Sequence, residues 1–305
     1  MPRITSRDNP RLKEAARLIA SSRDRRKAGR CVLEGAHVIA AYCARHGQPE
    51  TLIIAESALA EPELRALREA VPAGRTLVVA ESAWGDFAQL PASVGALAVV
   101  PTPRSEFKHA ADFCLLLEDI QDPGNVGSIL RSAAAAGVAQ VFLSPGCAFA
   151  WSPKVLRAGQ GGQFHLDLFE DVDLVAWARG YRGNLVAAVP AGGEPLFSAD
   201  LSRPVAIAIG NEGSGLSTAL RDAATRLVTI PMPGGFESLN AAAAAALSDS
   251  KPPGIGMLTR WRAAAHSAAD KPAPSLPIAI ATGPERSAAK SGSPPAGTAA
   301  TRLPR

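Results

Sequence analysis

Three short segments of the chain gather polar side chains and glycines densely enough to suit loops that hold a ligand. The first is Glu118-Asp119-Ile120-Gln121-Asp122-Pro123-Gly124-Asn125-Val126-Gly127, with Arg131 six residues beyond Asn125. The second is Gly210-Asn211-Glu212-Gly213-Ser214-Gly215, and the third is Pro231-Met232-Pro233-Gly234-Gly235-Phe236-Glu237-Ser238-Leu239-Asn240. Glycine lets a backbone turn sharply or come close to a bound molecule. Amide, carboxylate and guanidinium groups beside it can orient a polar substrate. Taken singly, such a loop is more often a tight connection than a site. Spacing removes several chemistries: there is no G-x-G-x-x-G fingerprint, and Gly210–Gly215 lacks the lysine of a phosphate loop. A G-x-S-x-G elbow is absent, which weighs against a hydrolase. The histidines His37, His46, His109, His165 and His266 have no evident nucleophile or metal partners. Cys31, Cys43, Cys114 and Cys147 form no C-x-x-C pair, so neither a zinc site nor a disulfide framework is expected, and they read as buried thiols.

Each loop follows or ends an apolar run suited to a strand: Phe113–Leu117, Val205–Ile209 and Leu227–Ile230. Ligands of an open parallel sheet sit outside the carboxyl ends of its strands, which is where these loops would stand. Further strands are expected at Gln140–Leu143 and Asn184–Val189, and helices at Val126–Ala136, Asp173–Arg179 and Leu216–Ala223. That order predicts an α/β fold with a mostly parallel sheet and helices on both faces. Upstream, helical patterns at Pro10–Ala20, Ala36–Arg45 and Pro62–Ala70 alternate with apolar runs at Cys31–Leu33, Thr51–Ala55, Arg75–Val79 and Ala96–Val100. This predicts a small α/β domain over residues 1–100, a linker over 101–111 opened by Pro101-Thr102-Pro103-Arg104, and a second domain over 112–247.

The bulk properties suit a soluble globular protein of about two domains: 305 residues, 47% hydrophobic and 20% charged. No apolar run approaches the roughly 18 residues of a membrane span, and Met1-Pro2-Arg3-Ile4-Thr5-Ser6 is not a secretory start, so a cytoplasmic location is expected. The net charge of +4 conceals an uneven distribution, because the first thirty residues hold ten Lys/Arg against three acids. Residues 248–305 hold eight against three, which leaves fourteen basic and twenty-two acidic side chains in the body. Basic ends on an acidic body suggest a polyanionic partner, although Arg23, Arg25, Arg26 and Lys27 also suit a solvated loop face. Residues 248–305 carry nine of the 25 prolines and no sustained apolar period, so a disordered tail is expected there.

In order, the three loops read D-P-G-N-V-G-x-I-x-R, I-G-N-E-G-x-G-L and I-P-M-x-G-x-x-E-S-L-N. Together they resemble the signature motifs of the SpoU (TrmH) family of RNA ribose 2′-O-methyltransferases, within the SPOUT superfamily. The resemblance spans about Cys114 to Leu247, and the preceding domain, with Ile4–Leu12 and Val32-Leu33-Glu34-Gly35, looks like the substrate-binding domain common in that family. It implies a C-terminal trefoil knot, a homodimer with its active site at the interface, and methyl transfer from S-adenosyl-L-methionine to RNA, with ribosomal RNA favoured over transfer RNA. Periodicity alone would not have suggested a knot. By the same resemblance, Gly210, Ile230 and Leu239 would hold the cofactor. Arg131 would act near the ribose hydroxyl, with Asn125, Glu212, Ser238 and Asn240 shaping the active site.

Methyl transfer from an activated sulfonium needs an aligned oxygen and a route for its proton, and no metal. Arginine is normally protonated, so Arg131 is read as binding the hydroxyl or a neighbouring phosphate, with action as a base left as a family-implied alternative. Structural roles stay open beside these: Glu212 capping the helix near Leu216, Asn125 capping the helix from Val126, and Arg131 pairing with Glu118 or Asp119. The sequence departs from the family after Leu247. There Ala241–Leu247 begins a helix that Ser248-Asp249-Ser250 and Lys251-Pro252-Pro253 stop after about two turns. A second reading is therefore an RNA-binding pseudo-enzyme of the same fold, and a third is a different α/β enzyme using a small nucleotide.

Overall fold

The computed structural model describes residues 3–84, 95–196, 198–202 and 204–230. The third loop, the segment that would close a knot and residues 248–305 lie outside the described residues, and so do Ser238, Leu239 and Asn240.

The first part of the chain folds as β1 (Arg3–Ile4), α1 (Pro10–Ala20), α2 (Ser22–Ala28), β2 (Arg30–Glu34) and α3 (Ala36–His46). It continues through β3 (Thr51–Ala55), α4 (Pro62–Ala70), β4 (Thr76–Val79), α5 (Glu81–Trp84) and β5 (Ala96–Pro101). Its strands form a mixed sheet in the order β1-β4-β3-β5-β2, with β5 antiparallel to both neighbours. Helices α1 and α4 begin with proline, whose fixed φ and missing N–H suit a first turn. One expectation fails here. The stretch holding Arg23, Arg25, Arg26 and Lys27 is a helix rather than a loop, capped by the Ser21 side chain at one end and by Gly29, at φ +61°, at the other. Arg25 is buried and donates to the Leu18 and Ile19 carbonyls, so it is not part of a solvated face.

The second part runs β6 (Phe113–Leu117), α6 (Pro123–Ala136), β7 (Gln140–Leu143), α7 (Pro153–Gly159), β8 (Asp167–Phe169), α8 (Leu174–Gly180) and β9 (Asn184–Ala188). It ends with β10 (Glu194–Pro195), β11 (Val205–Ile209), α9 (Thr218–Ala223) and β12 (Arg226–Thr229). All seven strands are parallel, in the order β10-β12-β9-β11-β6-β7-β8. Alternation along the strands divides the core. Leu115, Leu117, Val141 and Leu143 join a cluster with Val126, Ile129 and Leu130 of α6 and with the core of the first sheet. Cys114, Leu116 and Phe142 face the other way, onto Leu174 and Ala178 of α8 and Leu220 of α9. Because both faces are covered, β6 is buried along its whole length, as its unbroken apolar sequence predicts.

The strand order also places a switch point. From β6 the chain moves outward through β7 to β8, whereas from β11 it moves through α9 to β12 on the opposite side. Adjacent strands whose connections part in this way leave a crevice at their carboxyl ends, where ligands of such sheets bind. Strands β6 and β11 are hydrogen-bonded neighbours in register from Phe113–Val205 to Leu117–Ile209.

Candidate functional site

The first two loops leave β6 and β11 side by side at this switch point and are tied to each other. Glu118 N donates to the Ile209 carbonyl at 2.9 Å, extending the ladder by one residue. The Glu118 carboxylate then accepts from Ser217 N at 2.6 Å and Ser217 Oγ at 2.7 Å, anchoring the start of α9 to the end of β6. Asn211 Nδ2 donates to the Asp119 carbonyl at 2.8 Å. The Asn125 side-chain amide donates to the Glu212 carboxylate. Two of the expected site residues, one from each loop, are thus in direct contact.

Asp119 stands at the centre of this junction in a left-handed conformation, φ +56°. Such a backbone costs a non-glycine residue about 1 kcal/mol, less for Asp than for most. Its hydrogen bonds offset that cost. Asp119 N donates to Ser144 Oγ at 2.9 Å, and that hydroxyl donates to Asp119 Oδ1 at 2.7 Å. Ser144 follows β7, so three adjacent strand ends converge on one residue. Sequence reading gave Asp119 only as a possible partner of Arg131 and Asn211 only as part of its loop, and it did not name Ser144; a hydroxyl directly after a strand that neighbours a motif strand was the available signal.

The second loop is a closed turn around Asn211. Its Oδ1 accepts from Gly213 N at 2.8 Å and Ser214 N at 3.2 Å, and its carbonyl accepts from Gly215 N at 2.8 Å. Gly215 lies at φ +68°, where glycine is nearly free of strain. Gly210 is needed for another reason: a Cβ there would collide with the backbone of Gly215 and Leu216. The loop closes on itself over Gly210.

The capping roles left open by sequence fall to other residues. Helix α6 starts at Pro123 and is capped by Asp122, whose side chain accepts from Asn125 N at 2.8 Å, so Asn125 is not the cap. Ser217 caps α9, which leaves Glu212 to Asn125. Arg131 pairs with neither Glu118 nor Asp119. Its exposed side chain has no hydrogen-bond or ion-pair partner among the described residues. Beneath it, α6 is crowded by α7. A Cβ on Gly127 would lie 2.6 Å from the Val155 carbonyl oxygen, and one on Gly162 would lie 2.9 Å from Arg131 Cα.

Gly210 and Ile230 are both half-buried, at the carboxyl ends of β11 and β12, which flank β9. Four carboxylates, Glu118, Asp119, Asp122 and Glu212, belong to the two described loops, and none forms an ion pair among the described residues. The two loops at the switch point therefore carry four carboxylates, and Arg131 is an exposed residue of α6. Among the described residues no group of His, Cys, Asp and Glu could hold a metal. The thiols are inert as nucleophiles: burial pushes Cys31 up to about 12 and Cys114 up to about 11. Cys43 and Cys147 are half-buried rather than buried, and all four cysteines are free.

Comparison with known proteins bears on the family and the fold. Residues 112–248 match the SpoU rRNA methylase family, and residues 9–98 match an MRM3-like substrate binding domain. An uncharacterized tRNA/rRNA methyltransferase of Synechocystis is 31% identical over 261 residues, covering 79% of this chain and 89% of that protein. A 23S rRNA uridine 2′-O-methyltransferase of Streptomyces viridochromogenes is 31% identical over 260 residues, covering 80% and 88%. The solved structure of the SpoU methyltransferase AviRb from S. viridochromogenes, in complex with AdoMet, superposes with a TM-score of 0.70 at 27% identity, covering 84% of this chain and all of that one. The chain belongs to the SpoU rRNA methylase family.

Proposed function

We propose that this protein transfers a methyl group from S-adenosylmethionine to a ribose 2′-hydroxyl of ribosomal RNA. The observation that carries the reading is the junction of the two motif loops at the switch point. Asn125 meets Glu212 there, and Arg131 projects from the same helix as Asn125 with no partner among the described residues. The pocket chemistry suits the donor. The four loop carboxylates, without ion pairs among the described residues, would favour a positively charged ligand, and the half-buried positions of Gly210 and Ile230 are compatible with the cofactor role that the motifs assign them. When bound, the sulfonium supplies an activated methyl group.

What remains for the chain is to align the ribose oxygen and to let its proton pass to solvent as the methyl group leaves the sulfonium. Arg131, without a partner among the described residues, binds the hydroxyl or an adjacent phosphate and holds the oxygen in line. Asn125 and Glu212 fix each other, so the two loops keep a constant separation while substrate enters. Ser238, Leu239 and Asn240 complete the assignment by motif alone. The domain over residues 1–100 engages the RNA, and two copies pair so that the site is finished at their interface. An Arg131 without a counter-charge among the described residues suits that arrangement. Among the described residues no helix is long and apolar enough to cross a membrane, and we place the protein in the cytoplasm, where ribosomal RNA is available to it.

Calorimetric titration with S-adenosylhomocysteine, followed by transfer of labelled methyl to unmodified large-subunit ribosomal RNA, tests the proposal. One product molecule bound per chain and label recovered as 2′-O-methylnucleoside are expected. Saturable binding of both cofactor product and RNA without any transfer would instead identify an RNA-binding relative that has lost turnover.

A further inference from the structure

Between the first sheet and α6 lies the segment Pro153–His165, made of α7 and a short 3-10 turn at Gly162–His165. It touches both sides. Toward the first sheet, Glu34 at the end of β2 receives Arg157 of α7: Glu34 Oε2 accepts from Arg157 Nε at 3.2 Å and from its Nη2. The Glu34 side chain is only 7% exposed, and its other oxygen is buried with no hydrogen-bond partner among the described residues. The turn is held from α3, where Arg45 Nε donates to the Phe164 carbonyl at 3.2 Å and the Phe164 ring meets Tyr42 edge-on at 5.5 Å. Toward the second sheet, α7 presses on Gly127, and Gly162 sits directly against the Arg131 backbone. Residues of the first domain therefore fix the segment that fixes Arg131.

The geometry points to Glu34 as a positioning residue for Arg131, acting through Arg157, α7 and the turn at Gly162, so that the RNA-binding domain sets where the guanidinium stands. This rests on the role proposed above for Arg131. Among the described residues that side chain has no partner of its own, so of these contacts the ones that set its backbone determine its placement. Misplacement of about 1 Å at a reacting centre costs on the order of a hundredfold in rate. A buried carboxylate that accepts two bonds from one guanidinium is a stiff strut, whereas an amide in its place would lose the charge that holds Arg157.

The test measures kcat and KM with unmodified large-subunit ribosomal RNA, and S-adenosylhomocysteine affinity, for the full chain carrying Glu34→Gln or Gly162→Ala. The second variant pushes a methyl group toward Arg131 Cα without touching the ion pair. Each should lower kcat on the order of tenfold while RNA KM and product affinity stay within about twofold. In an Arg131→Lys background, the same substitutions should change kcat by less than about twofold, because the group they position is already gone. Equal losses in both backgrounds, or affinity falling in step with kcat, would indicate general damage and overturn the inference. If Arg131→Ala abolishes turnover while Glu34→Gln and Gly162→Ala keep it in full, the positioning role fails and the assignment of Arg131 stands. If Arg131→Ala itself is fully active, both fall.

Discussion

In the proposed site, Arg131 and Gly210 would serve in two different ways. An exposed arginine with no bond to any described residue contributes little to their folding, so its removal should be nearly silent in stability and large in rate. We expect Arg131→Ala to lower methyl transfer by on the order of a hundredfold or more, with S-adenosylhomocysteine affinity within about twofold of wild type. Single-turnover assays and calorimetry read the two quantities separately, and a variant retaining full rate would remove Arg131 from the mechanism. Gly210 should behave in the opposite way. The family resemblance gives Gly210 a role in holding the cofactor, but the structure supplies a prior obstacle to bulk there: a Cβ meets the backbone of Gly215 and Leu216 before any ligand is present. Even Gly210→Ala should therefore distort the loop, costing about 1–3 kcal/mol of stability by overpacking and weakening cofactor binding together. A lower Tm accompanied by weaker product binding is the expected pair of results. An unchanged Tm would mean that the loop opens without cost.

Among the elements, the junction of α2 with the loops beside β8 carries a dependence on pH. Arg26 pairs with Asp171 at 2.6 Å and lies over the Phe149 ring at 4.4 Å, while Glu170 accepts from Ala150 N at 2.9 Å. Burial, and to a smaller degree the neighbouring Asp171, push Glu170 up to about 7, although the Ala150 N–H and Arg26 act in the other direction. For an acid raised in the folded state, the native protein binds the extra proton between the unfolded value and about 7. Stability from this group is therefore greatest at low pH, declines as pH rises across that window and is flat above it. Glu170→Gln should flatten the fall in Tm between about pH 5 and 7, and a wild-type profile already flat there would contradict the assignment. The same junction shows why the sequence was only partly legible. Long amphipathic α1 and α4 begin at the residues their prolines mark, and the β6 and β11 runs are read residue for residue. Helix α2 has no apolar period, so its basic residues looked like loop despite Ser21 and Gly29 at its ends. Helix α7, with seven residues running into Gly159, and the three residues of β8 are too short to establish a period. Yet α7 is what packs on the helix bearing Asn125 and Arg131. The motif residues of the candidate site could be named from sequence, whereas the Asp119 junction and the Gly162 contact depend on chain segments meeting in space.

At the scale of the whole molecule, the reading turns on whether one chain suffices. Two copies related by a twofold axis would present the same surface to each other, so any residue donated across the interface is donated twice. Arg131 is suited to donation, being exposed and unpaired among the described residues, while Gly210 belongs to a loop closed within its own chain. If Arg131 serves the partner's crevice, a chain lacking Arg131 and a chain lacking a sound Gly210 loop can repair each other in a mixed dimer. One crevice of that dimer has an intact loop and receives the arginine of the other copy; the second crevice has neither. Random pairing of equal amounts of Arg131→Ala and Gly210→Val makes half the dimers mixed, each with one working site, so about a quarter of wild-type activity should return. Neither variant alone should show it, and light scattering on the mixture should report dimers throughout. Absence of recovery in a mixture shown to contain mixed dimers would mean that Arg131 acts within its own chain. The interface would then support the fold without completing the site.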